Sequence, residues 1–265
     1  MTALRRQLAG EKEGPLSAGA VMIGDELLSG KVRDANGPYL VDGLRRHGID
    51  LEEIHFVRDE IDAIVEAVDL VRHRRDLCFT SGGIGPTHDD VSMEAVAKAF
   101  GMDLELRPAL AALIATYFGD AESGKAWTKM AIVPAGCELL DLATAWPAYS
   151  VENVVMLPGI PQIFTRQVDA LLAGLESNPI VTNVAYFRIG EGELARPLGD
   201  LAEAFAGAVS FGSYPVIGEI EYQVKVTLDS RDPVALADAT RDLLARFPEQ
   251  VVHAVEEGIA NIEGR

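Results

Sequence analysis

The sequence predicts an α/β protein: a mostly parallel sheet with helices on both faces, followed by a smaller α+β unit. Three observations predict this. From Ala18 to Leu175, short apolar runs alternate with helical periodicities. Near Glu176-Ser177-Asn178-Pro179 the pattern breaks and then becomes shorter and different. In the second block one run alternates, with Ile220, Tyr222, Val224, Val226 and Leu228 on one face.

Each element follows from local pattern. Ala18 to Ile23 is a short apolar run ending at Gly24, as expected of a buried strand. Pro38 to His47 carries Leu40, Val41 and Leu44 at helical spacing. Ile49 to Val57 alternates and suits a strand. Ile61, Ile64, Val65, Val68 and Val71 mark one face of a helix. Leu77 to Thr80 is a strand that runs into Gly82-Gly83-Ile84-Gly85-Pro86, with a helix from Val91 to Phe100. Pro108 to Phe118 is helical, Lys129 to Val133 and Val154 to Leu157 are strands, and Pro161 to Leu175 is the last helix of the block. In the second block, Val184 to Ile189 and Glu219 to Leu228 read as strands. Glu193 to Phe205 reads as a helix, and Asp232-Pro233 opens another that ends at Phe247.

The chain has 265 residues, which corresponds to roughly one and a half to two domains. The expected division is a loose tail over 1–15, a first domain over 16–176, a second over 180–256 and a tail over 257–265. The terminal Ile262-Glu263-Gly264-Arg265 matches a protease site used to remove tags, and reads either as such a remnant or as native sequence. A net charge of −18 argues against nucleic acid and anionic membrane surfaces as partners. No apolar run approaches the ~20 residues of a membrane helix. The first residues lack the apolar region of a signal peptide, so the expected location is the cytoplasm. Two cysteines, Cys78 and Cys137, cannot make a disulfide scaffold.

In parallel sheets, ligands bind beyond the carboxyl ends of the strands. Gly24-Asp25-Glu26 follows the first strand, Arg58-Asp59-Glu60 the second, and Ser81 to Asp90 the third. The third segment is the sharpest signal. Its glycines let backbone amides approach an anion, and Thr80, Ser81 and Thr87 add hydroxyls. Asp89 and Asp90 would repel phosphate unless a divalent cation lay between them. A single Asp at this place ordinarily caps the helix. Two beside a Gly-Gly-Ile-Gly turn, with Asp25 and Asp59 near by topology, point to a cation site as well. His88 lies in the loop, where a surface role stands beside a catalytic one as the reading, and Cys78 reads as core. Gly119 to Lys125 imitates a P-loop, but Ala126 follows and no strand precedes it.

Met22 to Gly30, Asp34-Ala35-Asn36 and Ser81 to Asp90 resemble the N-terminal part of competence/damage-inducible protein A (CinA), of the MoaB/Mog molybdopterin-binding fold. The resemblance continues through Lys129 to Pro134 and Leu157 to Pro161. In the second block, Phe211 to Pro215 and Glu221 to Ser230 are similar to the small domain that follows in CinA-like proteins, and to the corresponding region of FAD synthases. The resemblance implies a three-layer α/β/α sandwich. It implies a metal-dependent pyrophosphohydrolase of ADP-ribose- or FAD-like dinucleotides, using Mg, Mn or Co. The alternatives are molybdopterin binding or transfer in molybdenum cofactor synthesis, and a non-catalytic interaction module. By motif position it assigns Asp59 and Asp90 as the catalytic, metal-holding pair. It assigns Ser81, Gly82, Gly83, Gly85, Thr87, Asp25, Glu26 and Asn36 to phosphate or substrate binding. The implied partner is a small nucleotide or pterin, and a homo-oligomer, dimer or trimer, is expected. The stretch from Leu140 to Tyr149 departs from the family pattern, so Trp146 or Tyr149 filling the pocket would favour the non-catalytic reading. The second block shows no basic clamp for RNA; dimerisation or closing the main site is the expected role.

Overall fold

The computed structural model describes residues 15–118, 126–140, 146–173, 178–218 and 221–259. The P-loop imitation, residues 141–145 of the divergent stretch, the terminal Ile-Glu-Gly-Arg and nearly all of the expected N-terminal tail lie outside the described residues. The chain divides into two compact units, residues 1–45 with 49–176 and residues 46–48 with 177–265.

The elements of the first unit run as follows in chain order: β1 (Ser17–Ile23), α1 (Asp25–Leu28), α2 (Asn36–Arg46), β2 (Asp50–Val57), α3 (Ile61–Arg72), β3 (Leu77–Ser81), α4 (Ser92–Ala99), β4 (Leu104–Leu106), α5 (Pro108–Phe118), β5 (Ile132–Pro134), β6 (Glu138–Leu140), β7 (Ala148–Val151), β8 (Val154–Leu157) and α6 (Pro161–Leu172). The main sheet has the order β2-β1-β3-β8-β7-β6. Its first four strands are parallel, and β7 and β6 add an antiparallel edge. The expected mostly parallel sheet with helices on both faces is therefore found.

Strand alternation explains why both faces are covered. Ala18, Ala20, Met22, Leu77, Phe79, Val155 and Leu157 pack with Leu40 and Leu44 of α2 and Phe164 and Val168 of α6. Val21, Ile23, Cys78, Val154 and Met156 point the other way, onto Ile64 and Val68 of α3, Val96 of α4 and Leu110 and Ile114 of α5. The connection β1-α2-β2 thus lies on one face and β2-α3-β3 on the other. The chain reverses direction across β1, and the switch point falls between β1 and β3.

Two stretches differ from expectation. The strand expected over Lys129 to Val133 is a 3-10 turn, Thr128–Ala131, followed by only three strand residues. These pair with β4 rather than with the main sheet. Ile132 is 38% exposed, so this ribbon lacks the two-sided burial that a parallel strand requires. The β6–β7 hairpin, within the stretch that departs from the family pattern, is an edge of the main sheet, and β7 is fully buried. Tyr149 is buried in the core, its hydroxyl accepting from Trp146 Nε1 at 2.8 Å, so Tyr149 belongs to the core rather than to a pocket.

The second unit contains β9 (Val181–Phe187), α7 (Glu191–Ala204), β10 (Ser210–Pro215), β11 (Val224–Ser230), α8 (Pro233–Ala245) and β12 (Val252–Ile259). Its sheet is antiparallel, with the order β10-β11-β9-β12. Ala185, Phe187, Val224, Val226 and Leu228 face Leu194, Leu198 and Leu201 of α7 and Leu236 and Leu243 of α8. Asp232 caps α8, accepting from the amides of Val234 and Ala235, and Pro233 takes the first helical position. Gly212 to Pro215 belongs to the strand β10. β12 runs to Ile259, beyond the expected end of the block at residue 256. Among the described residues, no helix is long and apolar enough to cross a membrane.

Candidate functional site

The carboxyl ends of β1, β2, β3 and β8 lie side by side, and the loops that follow them are tied together by specific bonds. Gly24 donates its amide to the Val57 carbonyl at 3.1 Å, joining the ends of β1 and β2. The Asp25 amide donates to Asp59 Oδ2 at 2.8 Å, so Asp59 reaches back from the end of β2 to the start of α1. Burial pushes the Asp59 carboxyl above the usual carboxylate range. The Asp25 amide opposes this, while the charges of Glu26, Asp25 and Asp89 add to the rise. These four carboxylates therefore share one electrostatic neighbourhood. Asp25 and Glu26 are exposed and Asp59 half-buried.

The loop after β3 is shaped by glycines that no other residue could replace. Gly82 and Gly83 have φ of 103° and 67°. A Cβ on Gly82 would sit 2.3 Å from the Ile23 carbonyl oxygen, and one on Gly83 2.2 Å from Ser92 Oγ. That hydroxyl is used: it donates to the Gly82 carbonyl at 2.8 Å, and the Ser92 amide donates to the Gly83 carbonyl at 2.9 Å. Gly82 donates in turn to Leu157 at the end of β8. Three successive amides, those of Gly83, Ile84 and Gly85, have no acceptor among the described residues. Such a run of unpaired N–H groups at a strand-to-helix turn is what an anion needs.

Asn36 fastens the other side. Its side-chain amide donates to Ser81 Oγ and to the Gly159 carbonyl, each at 2.9 Å, tying the start of α2 to the loops after β3 and β8. Asp34 caps α2 by accepting from the amides of Asn36 and Gly37.

Asp89 and Asp90 have separate jobs. Neither caps α4, whose preceding residue is Val91 with no side-chain cap. Asp90 Oδ2 accepts from the Thr87 amide at 2.8 Å and from the Thr87 hydroxyl. Its carboxylate lies over Gly85, where a Cβ would come within 2.6 Å of it. Asp90 thus closes the Gly85-Pro86-Thr87 turn. Asp89 Oδ1 shares the single Thr87 hydroxyl hydrogen with Asp90, and this bond holds its carboxyl below the usual range with help from its own amide and the charges of His88 and Lys129. The His88 side chain is 97% exposed, as expected of a surface residue.

The structure brings Asp25 to Asp59, Asn36 to Ser81, and Thr87 to Asp89 and Asp90. Among the described residues, no group of three or more His, Cys, Asp or Glu side chains is arranged to hold a metal. Asp59 and Asp90 each carry their hydrogen bonds on Oδ2, leaving Oδ1 without one among the described residues. Such hard oxygen donors suit Mg-, Mn- or Co-like cations, with water or a ligand's phosphate completing the shell, but no bond among the described residues joins Asp59 to Asp90.

Lys129 is the site residue that strand reading conceals. Its ammonium donates to the Thr87 carbonyl, reaching the loop from the 3-10 turn. The Lys-x-Ala-x-x-Pro segment that holds it is the available signal.

Asp59 also supplies a pH test. Its folded-state pKa is raised, so its share of stability is present at low pH and lost as pH rises through that value. Asp59→Asn is expected to raise the melting temperature relative to wild type near neutral pH and not below the carboxylate range. Solvent screening of this half-exposed group keeps the gain within about 1 kcal/mol. Thermal melts at two pH values check it.

The family described as a probable molybdopterin binding domain matches residues 19–177, and the middle domain of FAD synthase matches residues 179–256. A probable FAD synthase of Caenorhabditis briggsae is 31% identical over 272 residues, covering 91% of this chain and 51% of that protein. A CinA-like protein of Mycolicibacterium gilvum is 32% identical over 249 residues, covering 86% of this chain and 58% of that protein. The chain thus spans about half the length of the FAD synthase relatives it matches. The crystal structure of CinA from Thermoplasma acidophilum, a protein described as of unknown function, aligns with a TM-score of 0.55 and 29% identity over 59% of this chain and 96% of that one. The first match takes in more than half the chain and contains every bond of the strand-end edge, so the protein belongs to the probable molybdopterin binding domain family, as a CinA-like member.

Proposed function

We propose that the strand-end edge binds the phosphates of a nucleotide or pterin, and that the chain hydrolyses the pyrophosphate of an ADP-ribose- or FAD-like dinucleotide. The observation that carries this reading is the unpaired amide run of Gly83, Ile84 and Gly85, beside hydroxyls and carboxylates at a topological switch point. The amides would accept the charge that grows on phosphoryl oxygens as the bond breaks. Asp90 keeps the loop in the shape that presents the amides. Asp59 and Asp90 would hold a divalent cation, which when bound supplies Lewis-acid polarisation of the phosphoryl group. The names of the FAD synthase relatives support a nucleotide ligand.

A second reading, molybdopterin binding without hydrolysis, is favoured by the description of the matched family. One experiment separates the two. AMP release from ADP-ribose and from FAD is measured with Mg²⁺, Mn²⁺ and Co²⁺, for wild type, Asp59→Asn and Asp90→Asn, alongside calorimetry with molybdopterin. The hydrolytic reading expects wild-type turnover that falls by about a hundredfold or more in Asp59→Asn. Equal turnover in wild type and Asp59→Asn removes Asp59 from the chemistry. Heat with molybdopterin and no AMP from either substrate selects the second reading.

A further inference from the structure

The strand-end edge poses an electrostatic problem that a cation alone need not solve. Asp25, Glu26, Asp59 and Asp89 share one neighbourhood, and all would repel a phosphate. Yet a permanent positive charge already stands at the loop. Lys129 leaves the main chain within the 3-10 turn Thr128–Ala131 and donates to the Thr87 carbonyl. That turn is firmly held: Ala131 is fully buried, and its carbonyl accepts from the Arg107 amide at 2.8 Å. An ammonium has three hydrogens, and the Thr87 carbonyl takes one. Among the described residues, Lys129 is the one Lys or Arg side chain hydrogen-bonded to the loop from Ser81 to Asp90. Arg58, at the end of β2, is 62% exposed in its side chain and lies 3.9 Å from Glu60.

We infer that Lys129 is a phosphate-binding residue of this site, its ammonium bridging the Thr87 carbonyl and a phosphate oxygen of a nucleoside diphosphate. The loop amides grip the anion from the backbone, and Lys129 offsets the nearby carboxylates. Part of the anion affinity is then independent of any metal. Arginine at 129 keeps the charge, while methionine keeps the stem and removes it. The inference rests on the proposed phosphate site and adds a residue and a charge to it.

The test is calorimetry with ADP in EDTA and in Mg²⁺, for wild type, Lys129→Met, Lys129→Gln and Lys129→Arg, with adenosine as the phosphate-free control. The expected result is measurable wild-type binding of ADP in EDTA, weakened about tenfold or more in Lys129→Met and Lys129→Gln. Lys129→Arg should bind within a few-fold of wild type, and adenosine should not distinguish the four proteins. Added salt should weaken wild-type binding in EDTA, a measurement that needs no variant. Equal ADP affinity in wild type and the two neutral variants overturns the inference and leaves the phosphate site standing. Wild-type binding only with Mg²⁺ has the same meaning. No wild-type binding of ADP in either buffer overturns both.

Discussion

Gly82→Ala is expected to lower the stability of the first unit by about 3 kcal/mol or more, and to abolish ligand binding with it. Two independent causes act at this position. The backbone has φ of 103°, outside the range that a Cβ tolerates. The added carbon would also lie 2.3 Å from the Ile23 carbonyl oxygen, which belongs to the adjoining strand and cannot rotate away. Retreat in the other direction is closed, because Gly159 packs against the Gly82 Cα so tightly that a Cβ there would come within 3.3 Å. Gly101→Ala is the control. Gly101 has φ of 62° with nothing within 4 Å of an added methyl, so only backbone strain of about 1 kcal/mol is expected. Urea denaturation of both variants checks the contrast. Similar losses in the two would show that the close approach at Gly82 does not matter.

Asn36→Leu is expected to cost about 2–4 kcal/mol. Asn36 is 6% exposed, and its side-chain amide makes two bonds to separate loops. Leucine is close in size, so little cavity forms. The loss is that of two donors, leaving the Gly159 carbonyl without its Asn36 partner and Ser81 Oγ without its donor. Because those bonds hold the loops after β3 and β8 in place, affinity for a phosphate ligand should fall as well. Denaturation and ADP binding measured on the same variant check both effects. A stability loss with unchanged affinity would make Asn36 a packing residue only.

Much of this is legible in the sequence. The parallel strands β1 and β8 can be read because they are buried on both faces, so that Ala18 to Ile23 and Val154 to Leu157 are continuous apolar runs. The loop from Ser81 to Asp90 can be read because positive φ leaves glycine as its mark. The β6–β7 hairpin cannot, since Glu138–Leu140 and Ala148–Val151 are too short to show a period. Lys129 is hidden for a similar reason: a four-residue 3-10 turn beside a three-residue strand resembles one apolar run. The separate roles of Asp89 and Asp90 depend on where the Thr87 hydroxyl and amide point, which adjacency in sequence does not fix. Asn36 can be singled out only through the family resemblance. Its role emerges where three loops, far apart in sequence, converge on one amide group.

The excess of acid changes meaning at this edge. In the sequence, a charge of −18 argues only against polyanionic partners. In the structure, Asp59 is pressed by three neighbouring carboxylates beside a row of unpaired amides and a lysine. In the proposed phosphate site, acid, amide and ammonium would act together, the repulsion offset by named groups.

On the proposed reading, the amides of Gly83, Ile84 and Gly85 receive a phosphate. The most direct measurement is amide chemical shift in a ¹⁵N-labelled protein titrated with ADP-ribose. The account predicts saturable shifts concentrated on those three amides, with Thr87 following as its turn adjusts. Saturable binding that leaves the three amides unmoved while perturbing the second unit would contradict it.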